Sequence, residues 1–140
     1  MSDPFRLCRF VEAQGAIWPR VLDELRVGRK QGHWMWFVFP QIAGLGVSAM
    51  AERYAIGSLA EADDYRGHPL LGPRLRQATG LVLAIEGCNA HAIFGAPDDL
   101  KFCSSMTLFD RVVPQDVFAA ALEKYFAGAP DPATLVKLRH

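Results

Sequence analysis

Leu71, Leu75, Ala78, Val82 and Ile85 recur at alternating steps of four and three, a spacing that gathers them on one face of an α-helix and on no single face of a strand. It predicts a core helix over residues 70–86. Phe102, Met106, Phe109 and Val113 make a second stripe of this kind. Val117, Ala121, Leu122, Tyr125 and Phe126 make a third, and Ile17, Val21 and Leu25, with Trp18 and Leu22 beside them, a fourth. Glycines and prolines separate these stripes at regular intervals, and no segment keeps a two-residue alternation long enough for a half-buried strand. The expectation is an all-α, single compact domain of about seven short helices. At 140 residues, 51% of them hydrophobic, the chain is long enough for one real core and too short for two ordinary domains. It shows no internal repeat, low-complexity tract or linker.

Local start signals agree with that pattern. Ser58 followed by Glu61 has the spacing of a capping box, in which side chains satisfy free backbone N–H groups at a helix start. Asp3-Pro4 and Asp131-Pro132 each put a capping acceptor before a proline, whose missing N–H costs nothing in a first turn. His68, before Pro69, reads as a turn residue.

Composition removes several function classes. Fifteen basic residues balance fifteen acidic ones, so nothing favours general nucleic-acid binding, which needs a basic excess to neutralise phosphates. The three cysteines, Cys8, Cys88 and Cys103, are odd in number, widely spaced and flanked by apolar residues; they read as reduced and mostly buried. The N-terminal stretch MSDPFRLCRF lacks the pattern of a leader, and no apolar run is long enough to span a bilayer, so the cytoplasm is the expected compartment. Cys88 and His91 form half of a zinc-like spacing without a second half, and neither a metal nor a cofactor is expected. Nucleophile elbow, Walker loop and HExxH motifs are all missing.

Two polar concentrations stand out. In GRKQGHWMWFVFPQIAGLGVS, residues 28–48, Lys30, His33 and Gln41 flank the aromatic run Trp34-Met35-Trp36-Phe37-Val38-Phe39. That run reads as a short strand or buried turn. Such aromatics are commonly just core, yet polar neighbours of this kind suit a run that also lines a pocket. Gly44 and Gly46 precede Ser48 and a helical stretch, an arrangement that serves either as an anion cradle or as an ordinary tight turn capped by Ser48. The second concentration, residues 96–111, begins a helix at Asp98 or Asp99 and places Lys101 one turn from Ser104 and Ser105, away from the Phe102 stripe. Lysine beside hydroxyls suits an anion; the alternative is a solvated face whose serines bond their own helix backbone.

The strings AQGAIWPRVLDELRVGRKQGHWMWFVFPQIAGLGVSAMAERYAI, EADDYRGHPLLGPRL and IFGAPDDLKFCSSMTLF resemble, in this order and over almost the whole chain, the bacterial family called domain of unknown function 1810. The resemblance implies a helical single domain and no established activity. Some members carry the label calpastatin, but such inhibitors are largely disordered and highly charged, unlike this apolar chain. Cys103 stands where many relatives carry a basic residue. More distantly, the order of features is similar to helical N-glycosidases of the NADAR type, from which no catalytic residue transfers.

That distant similarity implies a small-ligand pocket that binds or hydrolyses an ADP-ribose-like, NAD-like or other nucleotide-derived N-glycoside. Cleaving such a bond builds positive charge on the sugar and calls for a carboxylate, a proton donor for the leaving base and an aromatic face. Glu61, Asp98 or Asp99 supplies the carboxylate in this reading, His33 the proton, Trp34 or Trp36 the stacking face. Lys101 with Gly44, Gly46 and Ser48 holds phosphate, while Lys30, Gln41, Ser104 and Ser105 complete the binding groups. The alternatives are a non-catalytic module that binds a ligand or protein partner, and a chain whose long motifs specify only a helical core.

Overall fold

A computed structural model of the chain describes residues 3–139; Met1 and Ser2, where the N-terminal reading begins, and His140 lie outside it. Among the described residues ten helices follow one another: α1 (Cys8–Gly15), α2 (Trp18–Val27), α3 (Met35–Val38), α4 (Ala49–Arg53), α5 (Leu59–Gly67), α6 (Leu71–Ala84), α7 (Ala90–Phe94), α8 (Asp98–Val112), α9 (Val117–Phe126) and α10 (Pro132–Leu138). The all-α expectation holds, and the count of seven is low, since single turns such as α3 and α7, of four and five residues, are too short to show a period. The described residues contain no strand; one parallel bridge pairs Ile42 with Ile56, through Ala43 N–H to Ile56 O at 2.8 Å and Ile56 N–H to Gln41 O at 2.9 Å.

The first stripe faces inward as the spacing requires: Leu71, Leu75, Ala78 and Val82 of α6 are buried, and the helix spans 71–84 rather than 70–86, with Ile85 already extended. Helix α8 lies at the centre. Every residue from 102 to 109 is buried, because α5, α7, α9 and α10 all pack on it. Its stripe carries the aromatic core: Phe102 stacks on Phe94 at 4.7 Å and meets Phe39 edge-on at 5.0 Å, and Phe109 reaches Tyr65 and Phe118 at 5.5 and 5.6 Å. Val113, expected on that stripe, is the residue that ends the helix.

Caps follow the sequence in most places. Ser48, Ser58 and Asp131 each accept the N–H of the third residue on, and Pro132 occupies the first turn of α10. Glu61 departs from the usual box by reaching past Ser58 to the Gly57 N–H at 3.1 Å. The Asp3-Pro4 expectation fails, since α1 begins only at Cys8; Asp3 instead bends its carboxylate over the turn to accept Leu7 and Cys8 N–H at 2.7 and 3.0 Å. His68 ends α5 and accepts the Leu70 and Leu71 N–H groups on Nδ1 at 3.1 and 3.2 Å, which starts α6.

Two of the three cysteines contradict the sequence reading. Cys8 and Cys88 are exposed and only Cys103 is buried: Leu7 takes the inward position beside Cys8, and Cys88 lies in the exposed stretch 86–89 before α7. The aromatic run is a single helical turn rather than a strand, with Met35, Phe37 and Val38 buried. Among the described residues no helix is long and apolar enough to cross a membrane.

Candidate functional site

Lys101 projects from the first turns of α8 toward the segment that carries Gln41 and Gly46. The Ile42–Ile56 bridge fixes that segment, since its two hydrogen bonds fall on either side of Ile42. From the far side comes α10, tied to α8 by hydroxyls: Asp131 N–H donates to Thr107 Oγ1 at 2.8 Å, and Ser104 Oγ donates to Asp131 Oδ2 at 2.9 Å. Between these three segments lies a cleft of about 370 Å³, with Gln41, Gly46, Lys101, Ser104 and Asp131 as its polar lining and Leu45, Pro97, Leu100 and Ala133 as its apolar one. Leu100 is 66% exposed at its rim.

The carboxylate in this cleft is rigid. Asp131 Oδ2 accepts from Thr134 N at 3.1 Å and Thr134 Oγ1 at 2.5 Å and lies 2.9 Å from Ser104 Oγ, whose one proton it shares with the Leu100 carbonyl of the same helix at 3.1 Å, whereas Oδ1 takes no hydrogen bond among the described residues. Lys101 stands opposite with its Nζ 5.6 Å above the Trp36 ring and 3.8 Å from Asp98 Oδ1. Asp98 is already neutralised by Lys30, whose Nζ lies 2.8 Å from Oδ2 and also donates to Gly32 O at 2.6 Å. Lys101 is therefore the cation with charge to spare. The cleft brings a positive group and a fixed negative one into a small, mostly apolar space.

The structure sorts the remaining sequence candidates. Lys30 is buried in its pair with Asp98, its ammonium over the Trp34 ring at 5.2 Å, and does not line the cleft. Trp34 is 2% exposed and gives its indole N–H to Glu24, so it forms core rather than a ligand wall. Trp36 is half-buried beneath Lys101. His33 is exposed on the turn before α3. Glu61 is spent on Arg9 at 2.9 Å and on the Gly57 N–H. Asp99 pairs with His91 at 3.4 Å and accepts the Leu100 N–H at 2.9 Å. Ser48 caps α4, and Gly44, at φ +94°, lies under the Lys137 side chain. Ser105 is fully buried, its hydroxyl without a hydrogen-bond partner among the described residues.

Asp131 is the cleft residue that sequence reasoning used only as a helix cap. Its second contact, with Ser104, spans 27 positions and leaves no local signal. Cys103 beside it is closed to anion chemistry: burial, and then the Asp131 charge, push its thiol up to about 11. A larger concavity of about 510 Å³ lies between α1 and the end of α5, but Asp3 and His68 at its edge are already bound to backbone N–H groups. Chemistry, more than size, favours the Lys101 cleft.

A single helical domain with a small charged surface cleft is the class of protein that this geometry defines. The chain belongs to the family described as protein of unknown function (DUF1810), whose model matches residues 4–138. It is similar over 99% of both chains, at 55% identity and a TM-score of 0.97, to a crystal structure of the conserved hypothetical protein Rv1873 from Mycobacterium tuberculosis. No curated protein matches the chain.

Proposed function

We propose that the Lys101 cleft binds a small anionic ligand of the nucleotide-derived kind, a ribose phosphate or N-glycoside related to ADP-ribose or NAD. The observation that carries this reading is the meeting of Gln41, Gly46, Lys101 and Ser104 with Asp131 on one concave surface, from three stretches of chain far apart in sequence. Lys101 supplies a point charge for phosphate, and Gln41 supplies an amide for sugar hydroxyls or a base. The volume of about 370 Å³ is at the low end of ligand pockets, roughly 300–1,000 Å³, which suits one nucleotide unit and leaves the rest of a dinucleotide outside.

Hydrolysis of the N-glycosidic bond is a second reading, favoured by the unoccupied Oδ1 of Asp131. A carboxylate held by Thr134 and Ser104 is placed in advance to stabilise positive charge on a sugar, and this role passes from Glu61, Asp98 and Asp99, all engaged elsewhere, to Asp131. The non-catalytic module stands against it on the same residue, since capping α10 is a complete structural reason for Asp131 to be there.

A thermal-shift series with ADP-ribose, NAD, nicotinamide mononucleotide and ribose 5-phosphate tests the proposal. A ligand at a hundred times its dissociation constant adds roughly 2.7 kcal/mol of stability. The expected result is a shift that Lys101→Ala abolishes, with nicotinamide release assayed next in the parent and in Asp131→Asn. No shift from the folded protein with any of these ligands overturns the reading.

A further inference from the structure

On a different part of the surface, the end of α5, the start of α6 and the turn between α8 and α9 enclose a concavity of about 270 Å³. Its apolar surface is chiefly Pro73 and Val113, over the buried Phe118, and two arginines, Arg66 and Arg76, complete the lining with Gly72 and Asp116. We infer that it is a separate binding site for a small carboxylic acid with an apolar body, a monocyclic aromatic or short branched acid.

Gly72 makes the concavity. A Cβ at that position would fall 2.0 Å from the Arg66 carbonyl oxygen, so only glycine lets the first turn of α6 close against the end of α5. Arg76 follows Gly72 by one helical turn and so projects from the same face of α6. The charges at the edge are unequal. Arg76 is matched by Asp116 at 2.7 Å, and Asp116 is fixed in turn by the Val117 N–H at 2.6 Å. Arg66 meets only Asp63, three residues before it, at 2.9 Å, and the two side chains are 47% and 62% exposed. Such pairs contribute little, so an incoming carboxylate displaces Asp63 at small cost and takes both arms of the Arg66 guanidinium. Each arginine already faces one carboxylate: the incoming acid takes the place of Asp63 on Arg66, and Asp63, which is not part of the lining, turns to solvent. The apolar surface receives the body of the acid. The lining shares no residue with the Lys101 cleft, which makes this a separate site.

Benzoate is the probe, with saturation-transfer NMR on the ligand and amide shifts on the full-length protein as readouts. Benzoate at millimolar concentration should bind and shift amides of the α6 first turn and of the 113–118 turn. Arg66→Gln should weaken it by roughly tenfold or more, as loss of a charge-assisted contact does. Pro73→Glu puts a carboxylate where the start of a helix tolerates one, and should abolish binding with Tm unchanged. Lys101→Ala should leave binding intact, and benzyl alcohol, the same ring uncharged, should bind more weakly than benzoate. Absence of saturation transfer from the folded protein, or equal benzoate affinity in the parent, Arg66→Gln and Pro73→Glu, overturns the inference.

Discussion

Glu24 Oε1 accepts the Trp34 indole N–H at 2.9 Å, and the same oxygen accepts the Gln31 and Gly32 backbone N–H groups at 2.7 and 2.9 Å. One carboxylate on α2 thus shapes the turn that delivers the aromatic run to the core. A buried indole N–H needs a partner, and the bare amides of the turn find theirs on the same atom.

Acid should therefore loosen this turn. Burial raises the Glu24 pKa, but the hydrogen bonds from Gly32, Gln31, Trp34 and Arg20 outweigh it, and the group is held below its ordinary value of 4.5. Its stabilisation is complete above that value and is lost as pH falls through the lower, folded pKa, because the unfolded chain takes up the proton first. Urea melts between neutral pH and pH about 3 should show a shallower acid slope for Glu24→Gln than for the parent. Identical slopes would mean that the carboxylate contributes nothing there.

A second buried polar group fixes α1 to the core. Gln14 donates to Phe37 O at 2.6 Å and to Tyr65 Oη at 3.0 Å, while its own oxygen accepts from Arg74 at 3.4 Å. Burial drives the Tyr65 phenol pKa far up, so the group stays a neutral donor and acceptor. Gln14→Leu should cost about 2–3 kcal/mol, since it leaves the Phe37 carbonyl with only the long bond from the Tyr65 hydroxyl at 3.5 Å and weakens a buried network. A loss under about 0.5 kcal/mol in chemical denaturation, the range of ordinary surface changes, would show that the network is dispensable.

Two glycines of α6 should respond in opposite directions to the same substitution. Gly72→Ala drives a methyl group into the Arg66 carbonyl and should destabilise by about 3 kcal/mol or more, beyond ordinary overpacking. At Gly80 a Cβ meets nothing within 4 Å, and Gly80→Ala should stabilise by about 0.5–1 kcal/mol through helix propensity alone. Thermal melts of the two variants decide the matter, and matching signs would contradict the packing described.

Thiol titration should separate the cysteines. Cys8 and Cys88 should react with a disulfide reagent in the folded protein, whereas Cys103 should react only on unfolding. Cys8 should be the slower of the exposed pair near neutral pH, because its hydrogen bond to Asp3 raises its pKa and withholds the thiolate. Rapid modification of all three in native protein would rule out the buried position of Cys103.

What sequence could reveal divides by distance along the chain. The stripes of α2, α6, α8 and α9 were legible because each repeats over at least two turns, and the caps at Ser48, Ser58 and Asp131 because they act within three residues. Helices α3, α4 and α7 left no period to read. Of the residues that line the cleft, Gln41, Lys101 and Ser104 stand out in the sequence within local concentrations of polar groups and Gly46 as a glycine before a helix start. Trp34 looked like a ligand wall since its partner, Glu24, lies ten residues upstream on another helix. Glu61 looked available because Arg9 reaches it from 52 positions away.

The hydroxyl fastening of α10 has a consequence for where capacities reside in this chain. Thr134 is its one buried residue among those described, and Thr107 and Ser104 hold its start by polar contacts rather than by apolar burial. A cut in the peptide after Gly128 would leave the aromatic centre around Phe102 and Phe109 enclosed while carrying off Asp131 and Ala133, an entire bank of the cleft. The enclosed core and the shape of the cleft are thus written in separable lengths of one polypeptide: the last dozen or so residues hold little of the first, yet they carry Asp131, the carboxylate of the second.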